Sequence, residues 1–239
     1  MEASLSNQKI GQLVAQDYRL AAVFKNFQMD YCCGGDISIK EACQRDGVSE
    51  EELTGQLAEV MRAPKGEQID FDRWPLDLLA DYIEKTHHRY VRQQIPQIQA
   101  LLKTIVEVHG EHEPHLAEIQ NLFEGCAQAM TAHLAKEEII LFPFVREIAE
   151  NPDAETLSQK DLSGPLAEME EEHDGEGNRF KEISRITNAY TPPKDACPTY
   201  QQTYAMLKDF EDNLHQHVHL ENNMLFPKTR QQLRQLLDQ

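Results

Sequence analysis

The chain reads as an all-α protein: an up-down four-helix bundle preceded by a small helical domain. Glycine is sparse, 11 of 239 residues, while Glu, Gln, Leu and Ala dominate, which is helix-forming composition. Four long amphipathic stretches each begin at a proline, Pro75, Pro114, Pro165 or Pro198, a residue suited to the first helical position because its missing N–H costs nothing there. Two of these stretches repeat one motif at an offset of 217 − 133 = 84 residues.

The elements follow in order. Helices are expected near 9–15 and 17–27. Ser38-Ile39-Lys40-Glu41 and Ser49-Glu50-Glu51-Glu52 are capping boxes, opening helices over 38–46 and 49–62. Residues 1–62 make the small N-terminal domain. The turn-forming run Ala63-Pro64-Lys65-Gly66-Glu67 opens a linker over 63–73, and the bundle occupies 74–239. Its four stretches run over 75–108, 114–142, 165–190 and 198–226, and a bundle follows from their length and short connections. Apolar residues recur at threes and fours, as in Leu76, Leu79, Ile83 and then Val91, Ile95, Ile98, Leu102. Pro96 inside the first stretch should kink it or end it early. The one long connection, 143–164, should carry another short helix.

Composition excludes several function classes. Lys plus Arg number 23 and Asp plus Glu 41, a formal charge of −18, so nucleic acid and anionic membrane surfaces are poor partners. Apolar runs stay near the length of Ile139–Phe142, far below the roughly 18 residues needed to cross a bilayer. Met1-Glu2-Ala3-Ser4 does not open a secretory signal, and five cysteines are an odd number for a disulfide scaffold. A cytoplasmic protein with reduced thiols is the expectation.

The repeat carries the chemistry. His133-x3-Glu137 is followed by Leu141-Phe142-Pro143, and His217-x3-Glu221 by Leu225-Phe226-Pro227. A His and a Glu four apart share one helix face. A single such pair is weak in a chain this rich in glutamate; His109 and Glu113 form a third, which Gly110 and Pro114 place in a loop with His112 and His115. Two pairs on long helices, continued identically, are specific. The third stretch adds His173. The first adds His87 or His88: His87 aligns with the apolar stripe through Leu76, Ala80 and Ile83, whereas His88 fits the spacing of two duplicated helix pairs, 45 residues to His133 against 44 from His173 to His217. A count at 1.5 Å per residue puts His133, His173 and His217 in one layer about 12–14 Å from one bundle end, with His88 one to two turns deeper. Four imidazoles and two buried carboxylates call for a cation. Six nitrogen and oxygen donors exceed the needs of one tetrahedral zinc, two carboxylates can bridge a metal pair, and the absence of thiolates suits iron or manganese. A dinuclear site, iron first, is the reading. Glu172 is a candidate supporting group beside it. His215 and His219 point roughly 160° from His217 and are expected at the surface.

In the small domain, Asp30-Tyr31-Cys32-Cys33-Gly34-Gly35 presents two cysteines before two glycines, a turn that should leave the thiols accessible and makes Cys32 and Cys33 candidate redox thiols. Cys43 and Cys126 read as core residues, and Cys197 precedes a helix N-terminus.

Tyr31-Cys-Cys-Gly-Gly35 resembles the N-terminal module of the iron-sulfur cluster repair di-iron proteins (the RIC, or ScdA/YtfE-like, family), and the chain from about residue 74 resembles their hemerythrin-like domain. Val108-His109-Gly110, Glu172-His173-Asp174, Thr191-Pro-Pro-x2-Ala196-Cys197 and Glu221-Asn222 extend the likeness over nearly the whole chain. The resemblance implies a bundle holding two non-haem iron ions, oxo- and carboxylate-bridged. It assigns His88, His133, His173 and His217 as nitrogen ligands and Glu137 and Glu221 as bridging carboxylates, and so favours His88 over His87. Oxygen-carrying hemerythrins are similar but use a fifth His; Val91 stands where one would sit, which leaves an open coordination position and argues against oxygen carriage. The implied function is repair of iron-sulfur clusters damaged by nitrosative and oxidative stress, by donating iron to damaged iron-sulfur proteins. The alternatives are nitric oxide reduction at the same iron pair, and a sensor or store for oxygen, nitric oxide or iron. Many family members are homodimers through the small domain.

Overall fold

The structure is a computed structural model that describes residues 5–64, 69–150 and 162–237. The first part is helical: α1 Ile10–Gln16, α2 Leu20–Asn26, α3 Ile39–Asp46 and α4 Glu50–Arg62. Ser38 and Glu41 close a complete capping box on α3. Ser49 supplies the serine half of the second, accepting from the Glu52 amide at 3.3 Å. Gly47, at φ 69°, ends α3 in the left-handed conformation that glycine adopts without strain.

Four rods form the bundle. The first is α5 Leu76–Tyr82, a π-turn Ile83–His88 and α6 Arg89–His109; the second is α7 His115–Lys136, a π-turn Glu137–Leu141 and α8 Phe142–Ala149. The third is α9 Ser163–Ile186, and the fourth is α10 Pro198–Leu220, a π-turn Glu221–Leu225 and α11 Phe226–Leu237. Rod one packs beside rods two and four, and rod three beside the same two, a closed up-down-up-down ring. Among the described residues no helix is long and apolar enough to cross a membrane.

Two expected helix ends move. Of the outcomes expected at Pro96, an early end does not occur: α6 runs through it to His109. The irregularity of that rod lies earlier, in the π-turn before His88. Rods two and four also continue past Leu-Phe-Pro, since α8 and α11 follow Pro143 and Pro227. The helix expected within 143–164 is met in part by α8; residues 151–161 and the linker residues 65–68 lie outside the described residues.

Apolar side chains collect in two clusters. One joins the first part of the chain to the bundle, running from Phe24 and Leu57 through Val91, Phe123, Phe180 and Phe210. The other gathers Leu79, Ile83, Phe142, Val145, Leu225 and Phe226. A polar layer lies among these residues. The N-terminal module seats directly upon it, with α1 packed on the π-turn Glu221–Leu225. Asn223 of that turn fills a glycine cradle and donates to the Cys32 carbonyl at 2.9 Å. A Cβ on Gly35 would stand 2.6 Å from the Tyr31 carbonyl, 2.7 Å from Asn223 Oδ1 and 2.9 Å from Gly11 Cα.

Two of those three neighbours are backbone atoms, so Gly35→Ala should cost about 1–3 kcal/mol, the usual penalty of an overfilled site. Denaturant titration checks this; an unchanged midpoint would show that Gly35 is not held close against Tyr31 and Gly11.

Candidate metal centre

The repeated motif produces two π-turns. Phe142 N–H bonds to the Glu137 carbonyl and Phe226 N–H to the Glu221 carbonyl, five residues back in each case. The proline that follows each Phe has no N–H for the α-ladder, and the widened turn just before it lets the rod continue. Each glutamate is thus the first residue of a π-turn, one turn below its histidine. His88 closes a third π-turn. A count that takes Phe142 and Phe226 as the bundle end misplaces His88 in depth, because rods two and four run on past both and pack beside α5; its Nε2 lies 3.2 Å from Glu137 Oε2, in the same layer as the other rings.

Two groups of donors result, each within 4.8 Å: His88, Glu137, His217 and Glu221, and His133, Glu137, His173 and Glu221. Both glutamates are common to both groups. His217 Nε2 is 3.0 Å from Glu221 Oε1, His173 Nε2 is 3.1 Å from Glu221 Oε2, and His133 Nε2 is 3.5 Å from Glu137 Oε2. All six residues are buried, both glutamates fully. Both oxygens of Glu137 and Oε2 of Glu221 lack a hydrogen-bond donor, and the Nε2 atoms of His133 and His173 face one another at 3.0 Å. Orphaned carboxylate oxygens and opposed imidazole nitrogens are a poor arrangement for a protein interior and a good one for cations. The donor set therefore fits a metal pair.

The titration behaviour agrees. Burial, then repulsion from Glu221, drives the Glu137 carboxyl well above the ordinary range. Burial also pushes Glu221 upward, but His217 and His173 outweigh it and hold that carboxylate low. One proton thus sits on a pair of close buried carboxyls, as like charges require when no cation lies between them. Burial, followed by repulsion from neighbouring imidazoles, lowers His88 to about 3 and His133 to about 4.

Outside the six, each ring is held in place. His133 Nδ1–H donates to Glu172 at 2.7 Å, and Lys136 pairs with the same carboxylate. His88 Nδ1–H donates to Glu138 at 2.8 Å, which Arg92 grips through two nitrogens. His173 Nδ1–H donates to Asn222 at 2.8 Å. These bonds fix Nε2 as the lone-pair nitrogen in all three rings. The phenylalanines of the repeat stack on the rings: Phe142 on His88 at 5.3 Å and Phe226 on His173 at 6.0 Å. Glu138, Arg92 and both phenylalanines were given no role from sequence. The repeat of Leu-Phe-Pro was the available signal for the rings.

Other expectations change. His219 is buried, and His215 half-buried, beneath Tyr31, with Tyr18 also against His219. The face turned from the metal layer is the one the N-terminal module covers. His109, His112 and His115 belong to neither donor group. Cys32 is 4% exposed rather than accessible; its hydrogen bond with Cys33, then burial, pushes its thiol well up. Cys33 is half-buried, and the two sulfurs stand 3.9 Å apart beside Asp30. Cys43 and Cys126 are buried as expected.

A four-helix bundle with two carboxylates and four imidazoles converging in its interior is a cation-binding protein by class. The sequence model of the hemerythrin HHE cation binding domain matches residues 79–229, and that of a domain of unknown function (DUF542) matches residues 6–61. Relatives from Yersinia pestis (strain Pestoides F) and Yersinia pseudotuberculosis serotype IB (strain PB1/+), each called iron-sulfur cluster repair protein YtfE, are 30% identical over 222 residues, which cover 93% of this chain and 96% of theirs. The chain belongs to the hemerythrin HHE family, within the iron-sulfur cluster repair group.

The lowered imidazoles set a pH dependence for the metal-free protein. His87, His88, His133, His215 and His219 all fall to about 4 or below, chiefly through burial, against about 6.5 in an unfolded chain. Between those values the unfolded state binds more protons, so stability should drop as pH falls from about 6.5 toward 4. Glu137 and Glu211, both raised by burial first, act in the opposite sense but are two against five. Melting temperatures of the apo protein across this range check the sign; a rise on acidification would contradict it.

Proposed function

We propose that this chain holds two iron ions at the His/Glu centre and repairs iron-sulfur clusters damaged by nitrosative or oxidative stress, as an iron donor. His88 and His217 would serve one ion and His133 and His173 the other, with Glu137 and Glu221 common to both. The observation that carries the reading is the sharing of two donor-less buried carboxylates by two groups of imidazoles, in a chain whose relatives are named for cluster repair. Bound there, iron supplies an exchangeable cation that can change oxidation state. The residues set how firmly it is kept. Four of the six donors are neutral imidazoles, so the site gathers less negative charge than a carboxylate-rich bundle site and resists reduction less. Ferrous iron, the more readily released form, is then within reach. Glu138 and Glu172 keep the rings of His88 and His133 aimed inward. The acceptors would be damaged iron-sulfur proteins in the cytoplasm, met by a homodimer joined through the N-terminal module.

Reduction of nitric oxide at the same centre is a second reading. Each donor group offers four protein ligands, fewer than fill an octahedral ion, which leaves room for a small molecule.

Anaerobic mixing of iron-57-loaded protein with a cluster enzyme inactivated by nitric oxide separates the two. Iron donation predicts that activity and label appear together in the acceptor, and that Glu221→Ala, short of at least one iron, restores little. Recovery of activity without label in the rebuilt cluster would contradict donation and favour removal of nitric oxide.

A further inference from the structure

His87 belongs to neither donor group, yet it is 3% exposed and adjoins the centre. Its ring lies 5.6 Å from that of His217 and 7° from parallel to it. Tyr82 packs edge-on at 5.8 Å. Nδ1 is 3.3 Å from Asn213 Oδ1. A carboxamide oxygen only accepts, so Nδ1 carries the hydrogen and Nε2 is left as a bare lone pair. That nitrogen is buried without a hydrogen-bond partner.

This is the tautomer that His88, His133 and His173 adopt, with Nδ1–H given to an oxygen and Nε2 left as the basic atom. Hence His87 shares the burial and the tautomer of the ligating imidazoles without a place in the resident set. A buried lone pair with no donor is costly, and a metal cation is the other species an imidazole nitrogen takes. On its Nδ1 side, Asn213 lines an open pocket of about 670 Å³ whose wall includes Asp209 and Asp212. His87 therefore stands between the His217 ring and a residue that meets the surface.

We propose that His87 is a transfer ligand, taking up the cation as it leaves or enters the position of His88 and His217. The proposal rests on the iron-donor reading and names the route by which the metal passes. The step is ligand exchange: one imidazole nitrogen replaces another on the ion, with no electron or proton transferred. A cation leaving a buried site otherwise loses its donors before water can replace them, and a neutral lone pair at the next ring bridges that gap. No histidine outside the donor set packs against the rings of His133 and His173 among the described residues, so the two ions should leave at different rates.

The test uses the full-length chain, loaded anaerobically with ferrous iron and mixed with excess of a coloured ferrous chelator. His87→Phe keeps a ring to stack on His217 but has no lone pair; His87→Gln keeps a polar end. Both should retain wild-type iron content, while the faster phase of release slows on the order of ten-fold. Release at the wild-type rate or faster would show that His87 only packs against His217 and would overturn the proposal. Lower iron content at equilibrium would make His87 a resident ligand and overturn it too. If His87→Phe melts early, His87→Gln decides. A wild-type chain that takes up no iron would instead remove the reading on which this rests, whereas iron taken up and released alike in all three proteins removes only the role of His87.

Discussion

Glu137 and Glu221 stand at the centre of the bundle at zero exposure, among four buried imidazoles of which burial keeps His88 and His133 uncharged near neutral pH. Three of their four oxygens accept no hydrogen bond. Two close carboxylates in that setting cannot both stay ionised unless a cation lies between them. The rest of the structure depends on this constraint. The four histidines surround the pair, and three of them are oriented through Nδ1 by Glu138, Glu172 and Asn222, so their Nε2 atoms are fixed as lone pairs. Arg92 and Lys136 in turn neutralise the two outer carboxylates.

The backbone meets the constraint by widening at the places where the donors sit. Each His-x3-Glu pair ends in a π-turn that starts at the glutamate, and the Phe at its end stacks on a histidine of another rod. The two halves of the bundle repeat this device, the second rod serving the first and the fourth rod serving the third. The turn Glu221–Leu225 carries the most: Glu221 in the donor set, Asn222 on His173, and Asn223 on the Cys32 carbonyl. Consecutive residues there join the N-terminal cysteine loop to the centre, so a shift in one is felt by the other.

The helical class and the repeated His-x3-Glu were legible because they depend on periodicity and spacing, which sequence records directly. Ser38 and Glu41 were legible as a cap for the same reason. The π-turns were not: nothing in Leu-Phe-Pro distinguishes a rod that stops from one that widens and continues, and proline was read as a stop. That one misreading also misplaced His88 in depth. Glu138 was invisible because its partner, His88, is 50 residues away, and only packing brings rods one and two together. His219 was expected in solvent because its helix face points away from the centre; the N-terminal module, whose docking no local pattern encodes, covers that face. The cysteines show the same limit, since the glycines allow a tight turn but do not say that Cys32 lies inside it.

Two cations shared by two carboxylates are tested most directly by an anomalous difference map at the iron edge from crystals of the iron-loaded protein. It should show two peaks per chain, each bonded to both Glu137 and Glu221, one of them also to His88 and His217 and the other to His133 and His173. A single peak, or a pair of which one touches neither glutamate, would contradict it.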